Sequence, residues 1–341
     1  MGFLRQRWYL AAWADELAVE GRLPRTLLNE ALLIWRTNDG TLSALADRCP
    51  HRSAPLSLGR CDGVSIRCGY HGLRFDPSGA CIENPHGAIT SALAVPSFPI
   101  VERHHGLWIW MGDPDDADPA LIPDLWFVDA ATEHSWSKGY MHTAAGHKLL
   151  EDNILDLSHA DYLHPDTLGG GALTRTKARI DEQGQTIFVE WLATNERPMP
   201  VFAQLMPDPE ALADIWTSVQ WHPNGVMILR AGATPAGTPR ENGLDSWNAH
   251  VMTPETATTT HYFYCNCRQY LTDDAAFNAA IAASLRAAFE TEDKPMIEAQ
   301  QRGLGDRELF DSKPALLPID AASTRARRTF DRLLAAECLS S

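Results

Sequence analysis

Two short clusters of metal-binding residues, Cys49-Pro50-His51 and Cys68-Gly69-Tyr70-His71, constrain this chain more than any other feature. They form a C-x-H motif and a C-x-x-H motif separated by sixteen residues. Each cluster lies at the end of a predicted β-hairpin, where Pro50 and Gly69 can shape tight turns. The first third must therefore fold so that two hairpin ends meet around a shared metal group.

Two Cys and two His suit either a zinc ion or a Rieske [2Fe-2S] cluster, in which His replaces Cys on one iron. A zinc knuckle is normally built from C-x-x-C pairs, and the C-x-H half fits that pattern badly. Arg52 after the first His and Gly72 after the second match the Rieske pattern. We therefore predict a [2Fe-2S] cluster, and its four ligands would be Cys49, His51, Cys68 and His71.

Residues 28–111 read as short strands separated by turns. Segments 31–36 and 41–46 flank Asn38-Asp39-Gly40, a strong hairpin signal. Segment 113–123 is rich in Asp and Pro, which sustain neither a helix nor a central strand. We place the domain boundary in that segment, giving an all-β domain over 1–115 and a second domain over 116–341.

The second domain mixes helices and strands. The pattern predicts a helical stretch over 145–159 and a long helix from about residue 272 to Gly303, kinked by Pro295. Between these helices the sequence predicts strands at 186–192, 225–231, 248–252 and 259–266. The fold class is thus α+β: an all-β domain followed by a domain of antiparallel strands and helices.

Composition excludes several classes of protein. A formal net charge of -15 and a pI near 5.2 argue against a nucleic-acid partner, which would require clustered Lys and Arg. The N-terminal residues lack a signal-peptide pattern, and no run of 18 apolar residues predicts a membrane span. Seven Cys without an export signal favour a reducing cytoplasm and metal ligation over disulfides. Cys61 and Cys81 occupy no motif position, so we expect small buried side chains there.

A second polar constellation lies in segment 151–164. Asn153, Asp156 and His159 fall on one side of an otherwise apolar helix, where burial is costly unless they are paired or bind metal. His159 and His164 are five residues apart, so the helix should distort or end between them. Two His and one carboxylate would complete the facial triad of a non-haem Fe(II) oxygenase.

Asp293, next to the Pro295 kink, is our candidate for the carboxylate. From periodicity alone, a solvated acidic helix face is an equal alternative for this residue. We assign its neighbours Glu290 and Glu292 to such a face.

The whole chain resembles the Rieske non-haem iron oxygenase family, especially the demethylase branch typified by dicamba and vanillate O-demethylases. The family's D-x-x-H-x-x-x-x-H pattern starts here at Asp156 and implies that His159 and His164 are the iron ligands. An E-D-K-x-x-I-E stretch, here starting at Glu292, implies Asp293 as the third ligand. The resemblance thus implies two cofactors, a Rieske cluster and a mononuclear Fe(II).

The resemblance also implies roles and partners. Asp156 would bridge an iron histidine to His71 of the partner subunit in a head-to-tail homotrimer, and Asn153 would lie near the iron. A carboxylate bonded to both imidazoles would fix their orientation. No G-x-G-x-x-G follows a strand, so electrons would come from NAD(P)H through a separate reductase, ferredoxin or both.

For the reaction we expect O2-dependent hydroxylation leading to O-demethylation of a small aromatic, carboxylate-bearing substrate in aromatic catabolism. His250 matches a substrate-contacting position of the demethylase branch, although a satisfied core histidine fits equally well. Leu229 departs from the dicamba-type pattern, which has a polar amide residue there. Arg230 could pair with an acid, but strand alternation would turn one of these two neighbours away.

Three other functions stay open. N-demethylation and ring dihydroxylation are the rivals within the enzyme class. A Rieske electron-transfer protein is the alternative from a different class, but it would not need the second, two-His, one-carboxylate set. A carrier would hold two irons per chain and the oxygenase about three, which iron analysis separates.

Overall fold

The computed structural model describes residues 2–18 and 21–340. The chain divides into two compact units, one spanning Arg5–Ile122 and the other comprising residues 2–4 and Pro123 onward. This division falls at the end of the Asp- and Pro-rich segment 113–123, a few residues beyond the boundary drawn at 115. None of the described helices combines the length and hydropathy that crossing a membrane requires.

The Arg5–Ile122 unit consists of short antiparallel strands. In chain order these are β1 (Trp8–Trp13), β2 (Arg22–Leu27), β3 (Glu30–Arg36), β4 (Leu42–Ala46), β5 (Arg60–Cys61), β6 (Ile66–Arg67), β7 (Arg74–Phe75), β8 (Cys81–Glu83), β9 (Ser97–Phe98), β10 (Ile100–Arg103) and β11 (Gly106–Trp110). They form three sheets, ordered β1-β11-β10, β2-β3-β4-β9 and β5-β6-β7-β8. The first metal-binding motif follows β4 and the second joins β6 to β7, so the all-β prediction is confirmed.

The second unit combines a large sheet with helices. Its strands are β12 (Trp136–Thr143), β13 (Arg179–Gln183), β14 (Thr186–Glu196), β15 (Ala213–Trp221), β16 (Val226–Pro235), β17 (Leu244–Thr256) and β18 (Thr259–Arg268). Its helices are α1 (Trp126–Asp129), α2 (His147–Leu155), α3 (Ala160–Leu163), α4 (Ala172–Arg175), α5 (Pro200–Ala203), α6 (Ala275–Ala287), α7 (Lys294–Leu304) and α8 (Ala321–Ser340).

The large sheet is antiparallel, with strand order β12-β18-β17-β16-β15-β14-β13. Alternate residues of each strand point to the same face, and the apolar ones on that face pack against α2, α7 and α8. Trp221 and Met252 from the sheet and Leu150 from α2 are fully buried in this core. The α+β prediction for this unit is confirmed.

The two predicted helical stretches are both interrupted. The first ends at Leu155, earlier than the expected 159, and Asp156 has an extended backbone. The second is split by a π-helical turn over Ala288–Asp293, which ends two residues before Pro295. Proline cannot donate the amide hydrogen bond of a regular helix, which accounts for an irregularity one turn upstream.

Candidate metal centres and substrate cavity

The two Rieske-type motifs fold into equivalent loops. Cys49 and Cys68 each donate their amide to the carbonyl five residues on, at 2.9 and 2.8 Å. The carbonyl of Cys49 accepts a hydrogen bond from the amide of Ser53, and that of Cys68 from the amide of Gly72, in each case four residues later in the chain. Ser53 and Gly72 have left-handed backbones, with φ of 55° and 77°. These residues, rather than Pro50 and Gly69, provide the left-handed turns.

The loops separate buried thiols from accessible imidazoles. Cys49 and Cys68 are each 2% exposed, and burial raises the pKa of the Cys49 thiol. His51 is exposed and His71 half-buried, and their ring centroids lie 4.5 Å apart. A cluster held here would have its His-ligated iron toward solvent.

The donor arrangement also favours a cluster over a single ion. Within the described residues, only one group of three Cys, His, Asp or Glu brings its ligand atoms within 4.8 Å of one another, and it lies in the other unit. No three ligand atoms of Cys49, His51, Cys68 and His71 lie within 4.8 Å of one another. This spread suits two metal atoms with two ligands each, and the set fits a [2Fe-2S] cluster.

The converging group consists of His159, His164 and Asp293. Asp293 Oδ1 lies 3.5 Å from His159 Nε2 and 3.1 Å from His164 Nε2. Metal–ligand bonds of about 2.1 Å at right angles put neighbouring donor atoms about 3 Å apart. Both distances to Asp293 are thus close to those between adjacent ligands of an octahedral ion, and all three donor atoms lie within 4.8 Å of one another.

Both imidazoles are oriented by hydrogen bonds at Nδ1, the ring nitrogen that faces away from Asp293. His159 Nδ1 lies 2.7 Å from the Asp156 carbonyl oxygen, which can only accept. His164 Nδ1 contacts the Glu292 carboxylate. Because each Nδ1 carries the proton, each Nε2 presents its lone pair to the site. Burial lowers the pKa of His164, but Asp293 and Glu292 together outweigh burial and raise it, so the site favours a cation.

Glu292 is a site residue that sequence reasoning missed. We had assigned it to a solvated acidic face, and that assignment is wrong because its carboxylate contacts His164. The only signal in the sequence was its position next to Asp293 in a helix that Pro295 disturbs. The π-helical turn carries both acids, so consecutive carboxylates reach opposite nitrogens of one imidazole.

Asn153, Asp156 and His159 do not line one face of a single helix as predicted, because α2 ends at Leu155. Asn153, on α2, donates its Nδ2 hydrogen to Asp293 Oδ1 at 3.2 Å. Asp156 lies beyond the end of α2, and its carboxylate accepts the Ser158 amide at 3.1 Å. The helical stripe prediction was thus wrong at Asp156, where a break in the helix turns the chain so that His159 can face Asp293.

A mostly apolar cavity of about 120 Å³ adjoins the three donors. An engineered cavity of about 150 Å³ binds benzene, so the space suits one aromatic ring. Its lining, drawn from residues 154–293, is Ile154, Leu157, His159, Ala160, His164, Thr167, Leu168, Leu173, Met199, Val201, Phe202, Thr217, Leu229, Ala231, Ser246, Asn248, His250, Asn266, Tyr270, Ile281, Ser284, Leu285, Phe289 and Asp293.

Strand register decides which sheet residues reach the cavity. Asn266, Asn248 and Leu229 lie in one cross-strand row and face the same side. Arg230 points to the opposite face, where it pairs with Asp245. The prediction that Arg230 contacts substrate is therefore wrong for this cavity, because the pleat turns neighbours to opposite faces.

His250 lines the cavity and is also internally satisfied. Its Nδ1 lies 2.6 Å from the Tyr262 hydroxyl, and burial lowers its pKa to about 4. The expectation of a bonded core histidine is confirmed. His250 also forms part of the cavity wall, and its contact with substrate stays a prediction.

Two domain families match the chain. Residues 7–99 match the Rieske [2Fe-2S] domain, and residues 143–336 match the Vanillate O-demethylase oxygenase C-terminal domain. The order and extent of the two matches follow the two compact units.

Relatives match along nearly the whole chain. The chloroacetanilide N-alkylformylase oxygenase component of Rhizorhabdus wittichii is 36% identical, over 98% of this chain and 97% of that protein. The dicamba O-demethylase oxygenase component of Stenotrophomonas maltophilia is 37% identical, over 98% of each. A crystal structure of dicamba monooxygenase bound to dicamba superposes with a TM-score of 0.91, at 35% identity over 99% of this chain and 100% of that one.

Fold and donor sets together define a two-domain iron oxygenase with a cluster domain and an open mononuclear site. The chain belongs to the Rieske non-haem iron oxygenase family, in the branch with a vanillate O-demethylase-type catalytic domain. It is an oxygenase component, its cofactors are a [2Fe-2S] cluster and mononuclear iron, and a separate protein supplies its electrons.

Proposed function

We propose that this protein O-demethylates a small aromatic ether. The observation that carries the proposal is the convergence of His159, His164 and Asp293 at the wall of an apolar cavity sized for one ring. In this proposal the three side chains hold the iron, which supplies O2 activation when bound. Cys49, His51, Cys68 and His71 would hold the cluster, which would supply electrons.

The protein's own side chains position the reaction. Apolar residues such as Leu157, Leu229 and Phe289 exclude water and hold the ring. The Asn153 amide bonds Asp293 Oδ1 and so fixes the carboxylate that faces the substrate. His250, held by Tyr262, stays uncharged and offers a fixed polar contact.

The overall reaction balances as follows. An aryl methyl ether, O2, two electrons and two protons give water and a hemiacetal. The hemiacetal then breaks its methyl carbon–oxygen bond to release formaldehyde and a phenol. NAD(P)H supplies the electrons through a separate reductase, ferredoxin or both, in the cytoplasm, as part of aromatic catabolism.

We further propose that electrons cross between subunits of a homotrimer, from the cluster of one chain to the iron of the next. A groove of about 480 Å³ reaches Asn153, Asp156 and His159. Asp156 Oδ1 caps the following turn, and Oδ2 makes no hydrogen bond to a described residue. His71 of the partner subunit would approach the Asp156 carboxylate in this groove. The path would continue to His159 through the Asp156 backbone, because the carbonyl oxygen of Asp156, rather than its carboxylate, bonds His159 Nδ1.

The test is turnover with a surrogate reductase against methoxy-, N-methyl- and unsubstituted aromatic compounds. We expect formaldehyde from at least one methoxy compound, matched by O2 consumption. A cis-diol from any member, with formaldehyde from none, would overturn demethylation in favour of ring dihydroxylation.

N-dealkylation is the second candidate, because the chloroacetanilide N-alkylformylase component is as similar to this chain as the dicamba enzyme. Products from the N-methyl members alone would establish it. Iron analysis is the accompanying control: about three irons per chain fit an oxygenase, and two fit an electron carrier.

A further inference from the structure

The second cluster loop is held by side chains from outside the loop. His86 Nε2 lies 2.9 Å from the carbonyl oxygen of His71, and Arg67 Nη1 donates to the carbonyl oxygen of Gly72 at 3.1 Å. A carbonyl oxygen can only accept, so His86 Nε2 carries the proton and is the donor. Two consecutive carbonyls, the first belonging to a cluster ligand, thus receive N–H groups from other segments.

Both donors are themselves fixed. Arg67 donates from Nη1 and Nη2 to the two carboxylate oxygens of Glu83 at 3.0 and 2.9 Å, a bidentate arrangement that orients the guanidinium. Asn84 Oδ1 accepts the His86 amide at 3.0 Å, and Asn84 Nδ2 donates to the Ala88 carbonyl at 2.9 Å. The turn after β8 is therefore ordered so that His86 faces the second cluster loop.

Segment 84–86 also packs closely against that loop. Gly72 has a φ of 77°, and a Cβ added there would lie 3.4 Å from Pro85 Cγ. The ring centroids of His71 and His86 lie 6.1 Å apart, with an interplanar angle of 78°. The segment therefore restrains both the backbone and the ring of His71.

The first cluster loop has no comparable support. No described residue donates a hydrogen bond to the carbonyl of His51 or to that of Arg52, the next residue. His51 is also exposed, whereas His71 is half-buried. The two histidine ligands thus differ, because one is restrained from outside its loop and the other by its loop alone.

We propose that His86 and Arg67 are positioning residues for the cluster, and that they orient His71 and raise the reduction potential of the cluster. Carbonyl oxygens carry partial negative charge, which disfavours adding an electron to a cluster beside them. Hydrogen bonds from N–H groups offset that charge and so favour the reduced state. This inference concerns the cluster and not the substrate, so it does not depend on the proposed O-demethylation.

Potentiometric titration of the cluster in the purified holoenzyme, without substrate, tests the proposal. His86→Phe keeps a ring of similar size but removes the N–H donor, whereas His86→Gln restores an N–H donor. We expect the cluster of His86→Phe to be harder to reduce, with its equilibrium against a one-electron mediator shifted about twofold or more toward the oxidised state. The potential of His86→Gln should lie close to that of the unaltered protein.

Electron paramagnetic resonance of the reduced cluster supplies a second readout, because its signal reports the geometry of the histidine ligands. We expect broader lines in His86→Phe, where the His71 ring is less restrained, and unaltered lines in His86→Gln. An unchanged potential and line shape in His86→Phe would overturn the proposal, and so would equal changes in both variants.

Iron content shows whether each variant keeps its cluster. If His86→Phe loses the cluster, a full cluster of unaltered potential in His86→Gln would still support the role of the N–H donor. Loss of the cluster from both variants would overturn the proposal, because the histidine ring rather than its N–H group would then be required.

Arg67→Met tests the second donor against a matched control. Arg60 lies opposite Arg67 in the pair of strands β5 and β6, is exposed, and has no side-chain partner among the described residues. Arg60→Met removes the same charge without removing a hydrogen bond to the loop, so it should lower the potential less than Arg67→Met does. Equal shifts would assign the effect to charge alone and contradict the role of Arg67.

Discussion

Glu292 and Asp293 are neighbours in the chain, yet they face opposite nitrogens of the His164 ring. Asp293 lies on the metal side, while Glu292 fixes the tautomer from behind. A carboxylate behind a histidine ligand increases the basicity of the metal-binding nitrogen. The acidic pair therefore has two separate tasks.

Replacing Glu292 with Gln should weaken iron binding between about 10- and 100-fold, because the charged acceptor behind His164 is lost. Iron affinity is measured by titrating the metal-free enzyme with Fe(II) under anaerobic conditions. Glu290→Gln is the matched control on the same turn, because Glu290 is exposed and makes no hydrogen bond to His164. Equal affinities in the two variants would exclude this role.

Because His250 is buried and uncharged, we expect the free energy of unfolding to decrease at acid pH. Its pKa falls from 6.5 to about 4 on folding, so between these values the unfolded chain binds a proton that the folded chain does not. Stability therefore falls as pH drops through this window. At pH 5 the loss relative to pH 7.5 is on the order of 2 kcal/mol. Urea unfolding of His250→Gln should show a shallower decline, and an unchanged decline would contradict this account.

At the scale of elements, α8 is tied to α2 by a buried ion pair. Arg327 on α8 donates from Nε to both carboxylate oxygens of Asp152 on α2, each at 3.1 Å, and Nη1 reaches Glu308 at 3.4 Å. Asp152 precedes Asn153, which bonds the iron-site carboxylate. The last helix thus helps to hold the segment that orients Asp293.

Arg327→Met should destabilise the protein by about 2 kcal/mol or more, because Asp152, whose side chain is only 20% exposed, would lose its cation. Arg325→Met, on the same helix, is the matched control. Arg325 pairs with Glu182 at 3.5 Å with both side chains nearly half exposed, so its loss should cost less than about 1 kcal/mol. Urea unfolding measures the stability of both variants. Similar decreases in the free energy of unfolding would show that the Arg327–Asp152 pair contributes no more than the exposed Arg325–Glu182 pair.

At the scale of the whole molecule, Asp156→Ala tests the proposed electron path. We expect cluster absorption and iron content to be retained, because Asp156 is not among the three converging donors. Substrate-coupled O2 consumption should be lost, because the variant removes the carboxylate that would bond His71 of the partner subunit, although the Asp156 carbonyl that bonds His159 is kept. Full coupled turnover in this variant would contradict the path.

Mixed assemblies test whether electrons cross between chains. His71→Ala should disable the cluster and Asp293→Ala the iron site, so each variant alone should be inactive. In trimeric rings formed at random from equal amounts, about a quarter of the cluster-to-iron contacts would join two intact centres. Co-expression should therefore restore about a quarter of the activity per chain, and no recovery would exclude the crossing.

Much of the fold, the four cluster ligands and the two histidines of the second site could be predicted from the sequence because they depend on short-range patterns. Asp293 was indicated only by the family resemblance, because it lies 129 residues from His164. The two cluster loops close by hydrogen bonds within six residues, as at Cys49 and Cys68, so their residues specify them directly. The strands follow from period-two alternation and turn residues. His159 and His164 were recognisable by their spacing and their apolar surroundings.

The cavity and the support of its metal ligands could be known only from the tertiary structure. Glu292 contacts a histidine 128 residues away, and a π-helical turn sets the face on which Asp293 emerges. Thr217, Leu229, Asn248 and Asn266 meet only through the register of four strands, and a shift of one residue would turn any strand's set to the other face. The sequence alone determined the cluster ligands and the histidine pair of the second site, because those motifs are local. Tertiary structure decided the charge and shape that the substrate meets, because those depend on distant residues brought together by packing.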